Sequence, residues 1–288
     1  MSRAVVLVVS LLAAACARPA ESVLVRDAPE VTALVAFEDG LLYGERKTGR
    51  ILDLDGKLVA RVDVSSDRQR GLLGLAVDDD GTVFASWTRG DRRLVVAAVA
   101  PGRQRFVWLG PRSSDLATGG HIAFDPDDGS LVIGIGDLQD PGSVSDPKAP
   151  NGKLLRLDPD GPPDQEWTTI SYGWNNPYAF DFSDDGALWL ADNAPGTQEE
   201  RLLRADPVGT RAVLPARTAP SGLAVVGEDT LVVCGYATML LLRYRVGANG
   251  APRPDGTLAR DCRLGVVTLA DGRVAYSTGR SILAVSPD

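Results

Sequence analysis

The sequence predicts an all-β fold, a β-propeller of six four-stranded blades, and three observations support this prediction. One pattern recurs six times: an apolar strand, a tight turn, a second apolar strand, a polar turn and a third strand. Measured at the second turn residue, the repeats are 41, 48, 57, 43 and 43 residues apart, a spacing typical of propeller blades. Helical patterns of any length are absent from the sequence.

Five of the six tight turns are Asp-Gly pairs, which explains why these repeats fold as meanders. An Asp-Gly pair supplies the positive φ angles that a two-residue hairpin needs, and alternating apolar residues on both sides favour antiparallel strands. The six turns are Asp39-Gly40, Asp80-Gly81, Asp128-Gly129, Asp185-Gly186, Glu228-Asp229 and Asp271-Gly272.

A fourth, outer strand follows in five of the repeats; two examples are EWTTIS (Glu166–Ser171) and RAVLPAR (Arg211–Arg217). The sixth repeat has no such segment after it. We expect the N-terminal strand SVLVRD, Ser22–Asp27, to take this place. This pairing would close the ring and remove an open sheet edge.

The first residues have the layout of a secretory signal. The apolar run Ala4–Ala15 is too short to span a bilayer comfortably. AAAC, ending at Cys16, resembles a bacterial lipobox, although Ala13 stands where Leu is usual, and ordinary signal cleavage nearby is the alternative. We therefore expect a lipoprotein signal peptide at 1–15, a tether at 16–21 and the propeller at 22–288, anchored through Cys16 in the bacterial periplasm or outer envelope.

Charge and cysteine content narrow the choice of partners. The net charge of −8 and the pI near 4.8 give the surface a negative field that repels phosphate backbones, so we expect no nucleic-acid partner. Membrane contact is expected only through the lipid anchor. Cys234 and Cys262 remain; a disulfide and two separate buried thiols are both compatible with the sequence.

Propellers place ligands on the axis, at the end where the innermost strands begin. The loop Gly136–Gly152, GDLQDPGSVSDPKAPNG, is long and polar and lies where it can cover that face. Trp174, Tyr172 and Tyr178 stand near one of the strand starts. They are suited either to stacking on a ligand or to packing between blades.

Several segments resemble the pyrroloquinoline-quinone (PQQ)-dependent soluble aldose dehydrogenases, the glucose/sorbosone dehydrogenase family, whose members are six-bladed propellers. The resemblance covers the region from Gln69 to Phe180 well and the remainder weakly. The matching segments are QRGLLGLAV (Gln69–Val77), GGHIAFDPDDGSLVIGIGD (Gly119–Asp137), NGKLLRLDPDG (Asn151–Gly161), SYGWNNPYAF (Ser171–Phe180) and LGVVTLADG (Leu264–Gly272).

The same resemblance implies site residues, and this chain departs from the family at several of them. The family's catalytic base, the His of an H-x-G-G motif, aligns with Ala117. The arginine of its R-N-P motif, which binds the quinone, aligns with Asn175, followed by Asn176 and Pro177. The late R-x-R-D-V motif falls on Cys262–Val266 and keeps no arginine in register. Gln69 and Asp137 match family positions near the quinone and the substrate.

We therefore expect a family member whose reaction centre has been lost: a non-catalytic module that binds a small molecule, a glycan or an envelope protein at the axial face. PQQ and calcium are implied by the resemblance and are expected to be lost, because a quinone with several carboxylates needs cationic partners. Gln69, Asp137, Asn175 and Asn176 are the candidate cofactor-binding residues.

Two enzymatic alternatives remain open. An active, divergent PQQ-dependent sugar dehydrogenase would use His121, the single histidine of the chain, as its base, with Arg70 or Arg263 replacing the lost arginines. His121 lies four residues after Ala117, about 13 Å farther along a strand. A metal-dependent lactonase would use carboxylates and amides such as Glu30 and Asn176.

No resident metal site is predicted from the aspartate-rich segments. DPDDG (Asp125–Gly129) and DPDG (Asp158–Gly161) lack the alternate spacing and the closing Glu of a calcium-binding EF-hand loop. Hairpin turns explain these segments better.

Overall fold

The computed structural model describes residues 21–288, and in this range 24 strands form six four-stranded antiparallel sheets. The predicted six-bladed propeller is therefore confirmed. No helix within this range is long and apolar enough to cross a membrane. The predicted signal peptide and Cys16 lie outside the described residues.

Each blade is a meander, and the second strand in chain order always pairs with the first and the third. The strands of blades 1 to 3, innermost first, are β2 Val31–Phe37, β3 Gly40–Glu45, β4 Arg50–Asp53 and β5 Leu58–Arg61; β6 Leu72–Val77, β7 Val83–Thr88, β8 Arg93–Ala100 and β9 Arg103–Arg112; β10 Gly119–Phe124, β11 Leu131–Ile135, β12 Lys153–Leu157 and β13 Thr168–Tyr172. A single 3₁₀ turn, Pro141–Ser143, lies in the long loop of blade 3.

Blades 4 to 6 repeat the arrangement, except that the outer strand of blade 6 comes from the N-terminal segment. Their strands, innermost first, are β14 Ala179–Phe182, β15 Leu188–Asp192, β16 Arg201–Asp206 and β17 Ala212–Val213; β18 Pro220–Val226, β19 Thr230–Gly235, β20 Leu240–Val246 and β21 Pro252–Arg260; β22 Val266–Thr268, β23 Val274–Ser277, β24 Ile282–Val285 and β1 Ser22–Val25.

The N-terminal strand closes the ring, as predicted. β1 pairs antiparallel with β24, with Ser22 opposite Ala284 and Val23 opposite Leu283. The innermost strands of consecutive blades are neighbours, and β22 of blade 6 contacts β2 of blade 1. The first and last described strands are thus held in one sheet, and blade 6 has no unpaired inner or central strand.

The apolar core is divided among the six junctions between neighbouring blades. Each junction contains one cluster of buried residues; Leu42 and Trp87, for example, meet between blades 1 and 2, and Val132 meets Phe180 between blades 3 and 4. Because each sheet is covered on both faces, its strands are apolar on both sides rather than alternating strictly. This packing holds the six innermost strands in register around the axis.

The outer strand of blade 4 is shorter than the sequence indicates. RAVLPAR suggests a strand over Arg211–Arg217, whereas β17 comprises two residues, Ala212 and Val213. Pro215 has no N–H group and cannot continue the ladder. The chain then turns inward, where Leu214 is buried and donates its backbone N–H to the carbonyl of Glu200.

The two cysteines left open by the sequence form a disulfide. Cys234 of β19 is bonded to Cys262, which follows β21, and the Cα atoms are 5.6 Å apart. Both residues are fully buried between blades 5 and 6. The bond ties the second strand of blade 5 to the segment that leads into blade 6.

The double variant Cys234→Ala/Cys262→Ala should unfold more easily than the wild type. Releasing a crosslink that closes a loop with a sequence separation of 28 should lower the free energy of unfolding by about 3 to 4 kcal/mol, chiefly because the unfolded chain regains entropy. Urea denaturation followed by tryptophan fluorescence measures the difference. An unchanged unfolding midpoint would show that the crosslink does not stabilise the ring.

Candidate functional site

A cavity of about 760 Å³ opens at the end of the ring where the innermost strands begin. Residues just before four of these strands contribute to its wall: Glu30 before β2, Thr118 before β10, Ala219 before β18 and Leu264 two residues before β22. The antiparallel meander brings every first strand to the axis in the same direction, so the strand starts converge at one end. The cavity lies where the sequence places the ligand site.

Tyr178 forms the floor of this cavity. It precedes β14 in blade 4, and its hydroxyl lies 2.6 Å from the carbonyl oxygen of Leu73 in blade 2 and 3.1 Å from that of Thr32 in blade 1. The side chain therefore reaches across the axis. Burial raises the pKa of Tyr178, so the hydroxyl stays protonated and donates to these carbonyls.

His121 lies beyond this floor, not in the cavity wall. It lines a separate space of about 10 Å³ together with Tyr178, Leu34, Leu223 and other residues of the axial channel. Its ring packs edge-on against Phe180, with the centroids 4.7 Å apart. Burial lowers the pKa of His121 to about 4, with a hydrogen bond to the Phe180 backbone opposing the shift. The imidazole is therefore neutral near pH 7.

The loop that carries Ala117 is held tightly beside the cavity. The side-chain oxygen of Gln69 accepts a hydrogen bond from the Ala117 backbone N–H at 2.7 Å, and Gln139 accepts two from Asp115 and Leu116 at 3.2 and 3.3 Å. Gln69 lines the cavity. The Gln69 side chain therefore holds the loop in place through this hydrogen bond. The methyl group of Ala117 can neither accept nor donate a proton.

Packing around the adjacent glycines leaves this loop little room to move. A Cβ on Gly136 would come within 1.9 Å of the Ala117 carbonyl oxygen, and one on Gly119, whose φ is +72°, within 2.3 Å of the Gly134 carbonyl oxygen. These positions therefore require glycine. Ala117 itself has a φ of 52°, a conformation that alanine adopts only when its surroundings hold it.

Asn175 and Asn176 have different roles. Asn176 lines the cavity, and its side-chain oxygen accepts the Gly119 N–H at 3.0 Å. Asn175 is turned away and donates its amide to Asp137 at 2.7 Å. Asp137 also accepts the backbone N–H of Gln139 at 2.8 Å. The sequence-predicted residues thus separate into a cavity pair, Gln69 and Asn176, and a neighbouring pair, Asp137 and Asn175.

A buried carboxylate, Asp192, positions both asparagines. One of its oxygens accepts the backbone N–H groups of Asn175 and Asn176, each at 3.0 Å, and the other pairs with Arg201 at 2.5 Å. Burial raises the pKa of Asp192, while Arg201 and the two backbone donors oppose this shift. Arg201 also lies over the ring of Trp174, 5.0 Å from its centroid.

Of the three aromatic residues near this strand start, Tyr178 lines the cavity and Trp174 and Tyr172 do not. Trp174 is buried and donates its indole N–H to Ser171 at 3.1 Å. Tyr172 is exposed but does not contribute to the cavity wall. The sequence left open whether these rings stack on a ligand or pack between blades. The structure shows that Trp174 and Tyr178 are both packed against other blades or strands.

Arg70 does not face the cavity, contrary to the alternative in which it replaces a lost arginine. The side chain is 2% exposed and bonds to Asp67 at 2.6 Å, to Ser113 at 2.9 Å and to Asp115 at 2.7 Å. Through these contacts the Arg70 guanidinium ties the loop between blades 1 and 2 to the loop between blades 2 and 3. Arg263, the other proposed replacement, does line the cavity.

The cavity wall is rich in arginine, and of these arginines the sequence predicted Arg263 alone. Its charged residues are the arginines Arg46, Arg68, Arg260, Arg263 and Arg280 and the acids Glu21, Glu30 and Asp261. These arginines belong to several different loops, so no local motif announces them. Sequence reasoning also missed Asp192, although the segment ALWLAD contained a signal for it. An aspartate at the end of an otherwise apolar strand needs a partner for its charge, which marks it as a residue with a specific role.

Comparison with known proteins places this architecture in a family. The sequence pattern that describes the family "Glucose / Sorbosone dehydrogenase" matches residues 30–201. No curated protein sequence matches the chain.

Three solved structures similar to the chain are an aldose sugar dehydrogenase from Streptomyces coelicolor in its PQQ-bound form, an oxidoreductase described as a glucose dehydrogenase from Thermus thermophilus, and the soluble aldose sugar dehydrogenase of Escherichia coli in its apo-form. The first is 21% identical, with a TM-score of 0.77 and coverage of 94% of this chain and 99% of that one. The second is 25% identical, with a TM-score of 0.77 and coverage of 93% and 99%. The third is 20% identical, with a TM-score of 0.76 and coverage of 93% and 99%.

The structural likenesses agree with the fold, and the family pattern covers more than half of the chain, including the strand starts of blades 1 to 4. The chain belongs to the glucose/sorbosone dehydrogenase family.

Proposed function

We propose that this protein is a non-catalytic member of its family that binds a small molecule or glycan in the axial cavity. The observation that carries the proposal is the alanine at position 117, where the family's catalytic base is expected. The cavity of about 760 Å³ falls within the usual size range of small-molecule sites, roughly 300 to 1,000 Å³. Binding is retained in this proposal, and proton transfer is lost.

Neither His121 nor Glu30 is suited to replace the base. A general base needs to reach the proton that it removes and to titrate near the working pH, and its loss costs about two to four orders of magnitude in rate. His121 lies behind Tyr178, away from the wall. Partial burial raises the pKa of Glu30, but bonds to Lys47 and Arg46 outweigh it and hold that pKa below its usual range.

The residues present do not fit PQQ in the manner that the resemblance implies. The amide of Asn175, at the position of the family arginine, is bonded to Asp137 at 2.7 Å and does not line the cavity. In this proposal the cavity holds no quinone.

The lactonase alternative also lacks support at its named residues. Glu30 holds two cations, with Arg46 at 2.5 Å and Lys47 at 2.7 Å. The side-chain oxygen of Asn176 is bonded to the Gly119 N–H. Within residues 21–288 no group of three or more His, Cys, Asp or Glu side chains is arranged to hold a metal ion.

Export and lipid anchoring are part of the proposal. The support is the sequence of the first 16 residues, with its apolar run and the AAAC segment ending at Cys16. The disulfide between Cys234 and Cys262 is consistent with an oxidising compartment. In this proposal the axial face is open to ligands of the bacterial envelope.

The purified protein, incubated with PQQ and calcium, should not reduce a dye in the presence of glucose. We expect a rate at least about 100-fold below that of the Escherichia coli aldose sugar dehydrogenase assayed in parallel, because the base position is alanine. Activity that persists near the level of that control and disappears in His121→Ala would overturn the proposal in favour of the active alternative.

The single histidine should titrate far below its usual pKa of about 6.5. Burial lowers the pKa of His121 to about 4, so its ring proton signals should shift little between pH 8 and pH 5. NMR of the folded protein measures this directly, since the chain has one histidine. A midpoint between pH 6 and pH 7 would show an exposed imidazole and contradict its enclosed position.

Cys16→Ser should abolish lipid attachment in a bacterial host. The wild type should incorporate labelled palmitate and partition into the membrane fraction, whereas the variant should not be labelled, because it lacks the cysteine that carries the lipid. Labelling of the two proteins is compared on a gel after expression with the intact N-terminus. Equal absence of label in both would favour ordinary signal cleavage.

A further inference from the structure

The axial cavity has a branch that reaches the outer edge of the ring. Three of its wall residues lie away from the innermost strands: Arg260 ends β21, Leu283 belongs to β24 and Glu21 precedes β1. These are the outermost strand of blade 5 and the two outer strands of blade 6. The cavity therefore extends outwards between blades 5 and 6, as far as the strand that closes the ring.

The proposed lipid attachment point is close to this branch along the chain. Glu21 follows Cys16 by five positions, and an extended chain spans at most about 3.6 Å per residue, so the two residues stay within about 18 Å of each other. A folded chain of this length has a radius of gyration of about 18 Å, so it is more than twice as wide as this reach. A lipid on Cys16 therefore keeps blade 6 near the bilayer, whereas blade 3, on the other side of the ring, is not held there.

The face of the ring opposite the cavity is unsuited to contact with an anionic membrane. The six turns between the first and second strands of the blades lie on this face, and they contain one cation, Arg273, and 13 acids. The acids are Glu38, Asp39, Asp78, Asp79, Asp80, Asp125, Asp127, Asp128, Asp184, Asp185, Glu228, Asp229 and Asp271. Their field repels a surface of anionic phospholipids.

The outer edge of blades 5, 6 and 1 has a different composition. It is formed by the outer strands β21, β1 and β5, and we call it the tether rim. Val23 of β1 and Leu58 of β5 are 47% and 50% exposed. These three strands, with the residue at each of their ends, contain five cations and three acids: Arg26, Lys57, Arg61, Arg253 and Arg260, and Glu21, Asp255 and Asp261. The tether rim thus carries no excess of negative charge, and apolar side chains beside cations suit the headgroup region of a bilayer.

We infer that the tether rim is a membrane-contact surface, on which the ring stands edge-on against a bilayer that contains anionic phospholipids. In this orientation the branch of the cavity between blades 5 and 6 opens beside the membrane surface, and the acidic face does not contact the lipids. The inference rests on the proposed function, because the lipid anchor at Cys16 is part of that proposal.

The test measures the distance of three positions from the membrane by energy transfer. The full-length, lipidated protein is added to preformed vesicles of phosphatidylethanolamine and phosphatidylglycerol that contain an acceptor dye on their headgroups. The donor dye is placed on one introduced cysteine: Thr257→Cys in the tether rim, Ser145→Cys in the cavity-face loop of blade 3, or Asp160→Cys in its opposite turn. All three positions are exposed. We expect the transfer efficiency from Thr257→Cys to be at least about twice that from either of the others.

Two double variants test whether the tether rim itself contacts the lipids. Val23→Glu/Leu58→Glu places two carboxylates on the rim and should lower the transfer from the Thr257 position at least twofold, because anionic headgroups repel them. Val208→Glu/Val213→Glu is the matched control, since these valines of blade 4 are 62% and 49% exposed, and it should leave the transfer unchanged. Circular dichroism and the melting temperature check that each ring is intact.

Equal transfer from the Ser145 position would mean that the ring lies flat on its cavity face, and it overturns the inference. Stronger transfer from the Asp160 position overturns it as well, as does an unchanged value in Val23→Glu/Leu58→Glu. If the wild type carries no lipid and stays off the vesicles, the proposed anchor fails and the inference falls with it. An anchored protein with equal transfer from all positions refutes the orientation alone, so the two failures are distinguishable.

Discussion

Pairing between β1 and β24 is the constraint on which the rest of the structure depends. Each blade buries its two faces against neighbouring blades, so every apolar cluster needs both of its blades in place. The N-terminal strand completes blade 6, and β22 contacts β2 across the seam. With the ring complete, the six innermost strands start around one axis, and the cavity exists because those starts converge.

The same geometry explains why the single histidine is remote from the cavity. Along β10, successive side chains move down the channel by about 3.3 Å per residue. His121 thus lies deeper than the glycine pair, and Tyr178 crosses the axis above it to reach carbonyls of blades 1 and 2. A residue type associated with catalysis is placed by the strand register in an enclosed, apolar part of the channel.

The charged side chains of the cavity wall come from several blades. At position 175 an amide is bonded to Asp137, and five arginines line the wall. Membership of the family establishes the propeller, whereas what the cavity can bind depends on the side chains of its wall. The fold does not determine the function, because the chemistry lies in the site.

The sequence by itself determined the six repeats, the closing strand and the axial location of the cavity, because hairpin turns and apolar strands are local signals with a fixed period. It also identified Gln69 and Asn176, which line the cavity. Only the tertiary structure decided that Cys234 and Cys262 are bonded, that Arg70 is buried and that Tyr178 closes the channel. These facts depend on distances between residues of different blades. The physical reason is that side chains far apart in the chain meet only when the ring closes. No local sequence pattern indicates which of them will face the axis.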